Sequence, residues 1–248
     1  MTLKQAFGRW LFPRLPVNRH VFDHVRCELN AIWVRTLHRV HPAYLLRTRE
    51  IRQRENVLLN VGCGPFGLAD WVNLDLFPFK GVTIRTDCRH NFPIGNGACT
   101  GIHVEHYFEH LTHEEEAPRF LEECRRCLTA GGVLRIIVPD AGRFARAYAD
   151  DGWASLEALA AAGTSMQKSF PTKMDALSHV MVQGYEHFGG YDFETLALAL
   201  RNAGFHDITQ YTFRTGRFPD GCIDREQHSP YSLYVEAVNR PASGMDET

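Results

Sequence analysis

Short apolar runs alternate with helical patterns along most of the sequence, and this alternation restricts the fold more than any other feature. The runs are five to seven residues long and end close to glycine, proline or a polar residue, as buried strands do. Strands that alternate with helices predict a parallel sheet covered by helices on both faces. The runs are Val57–Val61, Trp71–Leu76, Val82–Thr86, Gly101–Glu105, Val133–Val138, Ile208–Phe213 and Ser232–Val238. The helical patterns are His113–Leu128, which Ala130-Gly131-Gly132 should end, and Phe193–Ala203.

Residues 1–55 differ from the rest of the chain in charge. They carry 11 Lys and Arg against 4 Asp and Glu, whereas the remainder carries 16 against 25. The two parts therefore have net charges of +7 and −9, which marks the first as a separate basic unit. The acidic balance of the larger part disfavours nucleic acid as a substrate, because a phosphate polymer needs a basic track.

An amphipathic helix is predicted over residues 17–40, where apolar residues recur at spacings of three and four. Pro42 ends it. We expect the helix to cap the following domain by packing its apolar stripe against it. A basic amphipathic face that makes peripheral contact with a membrane or an anionic partner is the alternative. The stripe comprises Val21, Val25, Leu29, Ile32, Trp33, Leu37 and Val40.

The seven cysteines are odd in number and form no regular framework, which favours reduced thiols in a cytoplasmic protein. No apolar run approaches the ~20 residues that a membrane-spanning helix requires.

A glycine loop, residues 62–67, follows the first predicted strand and reads G-x-G-x-x-G. Glycines in such a loop let the backbone pass close to a bound nucleotide. A dinucleotide site also needs an acid about 20 residues further on, to hold a ribose. Position 82 is valine, Asp75 comes too early and Asp87 too late. The spacing therefore disfavours a nicotinamide-dependent oxidoreductase, which stays as an alternative.

Several blocks in order resemble class I S-adenosylmethionine-dependent methyltransferases, in particular the bacterial type 11-like branch. The blocks are residues 58–65, 71–75, 109–111, 128–135, 138–140, 200–205 and 232–237, with Asp87 between the second and third. The resemblance spans residues 56–240 and implies a Rossmann-like α/β fold with a mostly parallel seven-stranded sheet and helices on both faces. Residues 1–55 would be a helical extension, residues 141–190 a variable acceptor-site insertion, and residues 241–248 a flexible tail.

The resemblance also implies S-adenosyl-L-methionine as cofactor. Asp75, at a strand end, would accept hydrogen bonds from both ribose hydroxyls. Asp87 would contact the adenine, with the Cys88 backbone beside it. The full set of implied cofactor-binding residues is Asn60, Gly62, Gly64, Asp75, Asp87, Cys88 and Glu105.

Four histidines and two glutamates fall within the 11 positions from 103 to 113, where the fourth predicted strand ends. Ligands bind at this edge of open α/β sheets, and a histidine is suited to accept a proton near neutral pH. We therefore predict His106, Glu109 and His110 as catalytic residues, with a histidine as general base. The cluster could instead serve packing and loop hydrogen bonds.

The run His106-x-x-Glu109-His110 is similar to the Glu-x-x-Glu-His signature of metal-dependent O-methyltransferases, with histidine in place of the first glutamate. This similarity implies a divalent ion that would lower the pKa of the acceptor, with His179 or His187 as a further ligand. The version without a metal is preferred. The sequence thus predicts methyl transfer to an oxygen of a small-molecule or glycan-type acceptor. Its alternatives are the oxidoreductase and a non-catalytic docking protein that keeps the fold.

Overall fold

A seven-stranded sheet forms the centre of the molecule, as the computed structural model shows for residues 18–150, 153–162 and 170–240. The order of its strands is β3-β2-β1-β4-β5-β7-β6. Every neighbouring pair is parallel except the two pairs that β7 forms. The strands are β1 (Val57–Val61), β2 (Val72–Asp75), β3 (Ile84–Arg85), β4 (Cys99–Glu105), β5 (Leu128–Pro139), β6 (His206–Tyr211) and β7 (Ser232–Val238).

Seven α-helices occur in the described part of the chain. They are α1 (Arg19–Val40), α2 (Pro42–Arg52), α3 (Glu116–Cys127), α4 (Ala141–Ala149), α5 (Trp153–Ala162), α6 (Lys173–Val182) and α7 (Phe193–Asn202). Residues along β4, β5 and β7 are buried on both faces of the sheet, so both faces are covered. The predicted α/β class with a mostly parallel sheet is therefore confirmed.

One predicted boundary is wrong. Ala130-Gly131-Gly132 does not end a helix, because α3 stops at Cys127 and these residues already belong to β5. The predicted tail and residues 1–17, including the predicted helix start at Val17, lie outside the described residues.

Three separate hydrophobic cores occur among the described residues, and the two largest bear on the site. The larger lies between the sheet and its helices, where Phe92 and Phe120 pack edge to face. The smaller joins α4, α5 and α6 and centres on Phe144, Leu156 and Ala176. The described part of residues 141–190, the predicted acceptor-site insertion, thus contains three α-helices with a core of their own.

The prediction that α1 packs through its apolar stripe is wrong. Ala31 and Val34 are completely buried, whereas Val25, Leu29 and Ile32 are 49%, 62% and 52% exposed. Spacing located the helix but could not tell which face turns inward. Besides Ala31 and Val34, the inward face carries polar residues, which hold α1 by hydrogen bonds and an ion pair.

These contacts join α1 to the chain around the end of β3. Arg85 donates to the side chain of Asn30 at 2.6 Å, and its carbonyl lies 2.7 Å from His38 Nε2. Arg89 forms an ion pair with Glu28. The helix therefore covers this edge of the sheet. No helix in the described ranges is long and apolar enough to cross a lipid bilayer.

Candidate active site

The glycine loop adopts backbone conformations that require glycine. Gly62 and Gly64 have φ angles of +66° and +53°, in the left-handed region. A Cβ atom at Gly62 would lie 2.5 Å from the ring of Tyr107, so a side chain there would also clash. The predicted loop is thus present, and it lies against the residues that follow β4.

Asp75, the last residue of β2, holds this loop in place through hydrogen bonds. Its two carboxylate oxygens accept hydrogen bonds from the backbone N–H groups of Gly64 and Phe77, each at 2.8 Å. Burial raises the pKa of Asp75, and the two backbone hydrogen bonds oppose that rise. Each oxygen keeps a further lone pair, which is what a ligand with two adjacent hydroxyl groups requires.

Asn60 supports the loop from within. Its amide group donates to the carbonyl of Phe66 at 3.2 Å and to Oδ1 of Asn73 at 3.1 Å. Both amide protons are thereby used inside the protein, and only the side-chain oxygen remains for a ligand.

Asp87 is engaged mainly with arginines. Arg89 binds its two oxygens at 2.9 and 3.1 Å, and Arg35 from α1 lies 3.7 Å away. Burial alone would raise the pKa of Asp87, but the hydrogen bonds and charge of Arg89 lower it. Next to it the Cys88 thiol is buried, which raises its pKa well above the usual value. The predicted adenine contacts of these two residues stay predictions.

Glu105, the last residue of β4, is bound from the other side by residues 212–231, which we term the β6–β7 connection. The Glu105 carboxylate lies 2.8 Å from Nδ1 of His228, 2.9 Å from Nε of Arg225 and 3.3 Å from Nε2 of His103. Burial alone would raise the pKa of Glu105, but these partners hold it far below its usual range. The guanidinium of Arg225 also lies 4.5 Å from the ring of Phe66 in the glycine loop.

A buried ion pair holds the β6–β7 connection in place. Arg135 on β5 is completely buried and donates to both carboxylate oxygens of Asp224, at 2.7 and 2.5 Å. It also donates to Glu236 on β7 at 2.7 Å. Because Asp224 immediately precedes Arg225, the buried pair fixes the segment that reaches Glu105.

Beside Glu105 lies a cavity of about 190 Å³, which we term the acceptor cavity. It is bordered by the ends of β4 and β5, by α4 and α6, and by the β6–β7 connection. Five histidines line it, together with one buried carboxylate and two aromatic rings. The residues used below are His106, Glu109, His110, Phe144, His179, His187, His228 and Tyr231.

His106 has both ring nitrogens occupied. Nε2 lies 2.9 Å from the hydroxyl of Ser232, and Nδ1 lies 3.1 Å from the Glu109 carboxylate. Its backbone φ of +54° is unusual for a residue with a side chain. Its ring centroid is 3.9 Å from that of His228. His106 therefore links Glu109 to the start of β7.

His110 and His187 have a different arrangement. Nδ1 of His110 donates to the carbonyl of Glu186 at 2.8 Å, and Nδ1 of His187 donates to the carbonyl of Val180 at 3.1 Å. A neutral imidazole that donates from Nδ1 has its lone pair on Nε2. Burial lowers the pKa of His187, which favours the neutral form.

Glu109 lies between these histidines and is 2% exposed. Oε2 has no hydrogen-bond partner among the described residues, and Oε1 has only the ion-pair contact with His106. Burial opposes ionisation, but the interaction with His106 and the charges of His110 and His187 lower the pKa of Glu109 to about 2. A buried carboxylate with an unused oxygen is costly unless a ligand completes it.

Ligand atoms of Glu109, His110 and His187 lie within 4.8 Å of one another. Two imidazoles and a carboxylate are a donor set of zinc and other divalent transition metals. The backbone carbonyls that hold Nδ1 of each histidine resemble the outer contacts that orient metal ligands. The residues present therefore fit a divalent ion, with His187, one of the two further ligands that the sequence had offered, and without His106.

His228, Arg225 and Tyr231 were missed by sequence reasoning. They lie more than 100 residues from Glu105 and carry no spacing pattern. The topology explains their place, because β7 runs antiparallel to β5 and Ser232 pairs with Pro139. Residues just before β7 consequently meet the ends of β4 and β5. Knowledge that β7 is antiparallel would have been enough to place them there.

Comparisons with known proteins found similar solved structures, but no protein-family model and no curated protein matches the sequence. An S-adenosylmethionine-dependent methyltransferase from Archaeoglobus fulgidus is 15% identical, with 79% of this chain and 91% of that chain covered, at a TM-score of 0.45. One from Thermotoga maritima, described as a possible histamine N-methyltransferase, is 16% identical, with 90% and 97% covered, at a TM-score of 0.45. One from Mesorhizobium loti is 15% identical, with 80% and 98% covered, at a TM-score of 0.42.

The mostly parallel seven-stranded sheet, with β7 as its antiparallel strand and helices on both faces, is the Rossmann-like α/β fold that the sequence resemblance implied.

Proposed function

We propose that the protein is an S-adenosylmethionine-dependent methyltransferase that methylates an oxygen of a small-molecule or glycan-type acceptor. The observation that carries the proposal is the meeting of two sites at the end of β4. The glycine loop with Asp75 lies on one side, and the acceptor cavity with its histidines lies on the other. Arg225 connects them, because it contacts Phe66 of the loop and Glu105, which in turn holds His228 of the cavity.

The cofactor half would use the loop backbone and the acids at the strand ends. Gly62 and Gly64 give room for the methionine part, and Asp75 accepts from the ribose hydroxyls with its unused lone pairs. Asp87 and the Cys88 backbone would adjoin the adenine. S-adenosylmethionine supplies an electrophilic methyl group on a positively charged sulfur.

The acceptor half has to position the acceptor and remove its proton. We assign the base to His228, because its Nδ1 is held by Glu105 and its Nε2 accepts a hydrogen bond from the Gln227 amide at 3.1 Å. An acceptor hydroxyl would take the place of that amide and give its proton to Nε2. The oxygen forms its bond to the methyl carbon as the carbon–sulfur bond breaks, and the sulfur keeps the electron pair.

Calorimetry with S-adenosylhomocysteine and, separately, with NADH tests the proposed function. We expect micromolar or tighter binding of S-adenosylhomocysteine and no binding of NADH, because the acid spacing does not suit a dinucleotide. The converse result would exclude a methyltransferase and support the oxidoreductase alternative.

A metal-assisted version is the second candidate, and the unused buried oxygen of Glu109 favours it. A divalent ion held by Glu109, His110 and His187 would bind the acceptor oxygen and lower its pKa. In that case the purified protein retains a stoichiometric metal, EDTA abolishes turnover, and an added divalent ion restores it.

Glu109→Gln keeps the shape of the side chain and removes its charge, so it separates the two versions. If a metal is used, Glu109→Gln should lose the metal and as much activity as His110→Ala. Glu186→Gln is the matched control, because its side chain is exposed and only its backbone contacts His110. Metal-free protein with turnover that resists EDTA would rule this version out.

A further inference from the structure

The outward face of α1 is apolar. At about 100° per residue, Val21, Val25, Leu29 and Ile32 fall in one arc on the side opposite to Ala31 and Val34. Ala31 and Val34 are buried against the domain, and the outward residues are exposed. We term the set Val21, Val25, Leu29, Ile32 and Trp33 the outer face. Helices at a protein surface normally place polar residues there, and a contiguous exposed apolar patch marks an interaction site.

α2 also has exposed apolar side chains. Leu45 and Leu46 are 46% and 62% exposed, although α2 is anchored to the domain by the completely buried Ile51. Two consecutive helices thus present leucines to the outside. Neither the spacing of apolar residues in the sequence nor packing in the core of the domain explains why these leucines are exposed.

Both helices also carry exposed arginines. Arg39 on α1 and Arg49 and Arg52 on α2 are exposed, and within the described residues no carboxylate forms an ion pair with them. The acids of this unit are largely neutralised by neighbours. Asp23 and Glu50 lie 3.4 and 3.1 Å from arginines of their own helices.

On the inward side of α1, one acid and one arginine are paired with residues of the domain, so the net positive charge of the two helices lies on their exposed surface. Glu28 pairs with Arg89, and Arg35 turns towards Asp87. Residues 18–55 carry 8 Arg against 4 Asp and Glu, a net charge of +4. The exposed surface of α1 and α2 therefore combines apolar side chains with net positive charge.

We propose that the outer face of α1, with Leu45 and Leu46 of α2, docks the protein on the surface of an anionic lipid bilayer. A helix that is apolar on one side and flanked by arginines lies in the bilayer interface, with its cations near anionic headgroups. A second copy of the chain is the poorer partner. A symmetric contact would bring two basic helix pairs together, because residues 18–55 carry 8 Arg against 4 Asp and Glu.

Docking would leave the acceptor cavity on the inward side of α1, about one helix diameter from the bilayer surface. The ring of His20, in the first turn of α1, stacks on Tyr185 with centroids 4.8 Å apart. Tyr185 belongs to the turn between Gln183 and His187, and both of these line the cavity. If the proposed methyltransferase function holds, the acceptor is thus the polar part of a membrane-associated molecule.

Co-sedimentation of the full chain with vesicles tests the docking. We expect binding to phosphatidylcholine vesicles that contain phosphatidylserine, little binding to phosphatidylcholine alone, and weaker binding as salt is raised. The double variant Leu29→Glu, Ile32→Glu should bind about tenfold more weakly or worse, because both side chains leave the apolar interface. Leu198→Glu is the matched control, since Leu198 is an equally exposed leucine on α7, and it should bind like the wild type.

Two results would overturn the docking. One is a wild-type chain that ignores anionic vesicles. The other is a wild-type chain that does not bind vesicles but forms a dimer in analytical ultracentrifugation, while the double variant is monomeric. That result would make a second copy the partner. S-adenosylhomocysteine binding is measured in parallel. Vesicle binding in a chain that does not bind this ligand would support docking and contradict the proposed function.

Discussion

Asp75→Ala should weaken binding of S-adenosylhomocysteine by about 30- to 1,000-fold, which corresponds to about 2–4 kcal/mol. The variant removes a buried carboxylate that would accept two charge-assisted hydrogen bonds from the ribose. It also releases the N–H groups of Gly64 and Phe77. Calorimetry measures the effect, and thermal unfolding shows whether the fold is kept.

Asp75→Asn separates these two contributions. It keeps one oxygen for the loop but lacks the charge, so we expect a smaller loss than for alanine with the loop intact. Asp150→Ala removes an exposed carboxylate at the end of α4 and should bind the ligand normally. If Asp75→Ala binds as tightly as the wild type, the ribose is held elsewhere and our placement of the cofactor is wrong.

His228→Ala should lower kcat by about 10²- to 10⁴-fold and leave S-adenosylhomocysteine binding nearly unchanged, because only the general base is lost. His206→Ala, an exposed histidine on β6, is the matched control. Wild-type kcat should also depend on pH. Burial lowers the pKa of His228 and Glu105 only partly restores it, so the base is neutral at pH 7. Activity is therefore full above that pKa and falls as the pH drops through it, below about 6.5.

Glu105→Gln tests the positioning role of the carboxylate. It removes the charge that raises the pKa of His228, so the acidic limb of the pH profile should move to lower pH while kcat falls. A structural role alone would not shift the profile. Normal turnover in alanine variants at His106, His110 and His228 would show that the histidine cluster has no role in catalysis.

Local sequence signals predicted the sheet well. β1 and β7 have the predicted bounds, because a glycine and an asparagine stand directly after two runs rich in valine and leucine. The inward face of α1 was predicted wrongly, since its contacts are single polar pairs such as Arg85 with Asn30. Periodicity shows which residues share a helix face, but it does not show whether that face packs against the domain or lies in solvent.

The candidate site was only half visible from the sequence. Glu109 and His110 adjoin each other in the chain, and their proximity to the end of β4 followed from the strand pattern. His187 follows the end of α6, and His228 lies in the β6–β7 connection. Both line the same cavity. The similarity to metal-dependent O-methyltransferases had offered His187 only as one of two further ligands, and nothing had singled out His228, because the packing of distant segments brings both to the cavity.

The separate core of α4, α5 and α6 has a consequence for how such a chain can diversify. Phe144 serves both as the centre of that core and as a wall of the acceptor cavity, whereas the glycine loop is supported by Asn60, Asn73 and Asp75. Substitutions among the three helices can reshape the space open to an acceptor without loosening the loop. The two halves can therefore change at different rates, so that acceptor choice can drift while the half proposed to hold the methyl donor stays the same.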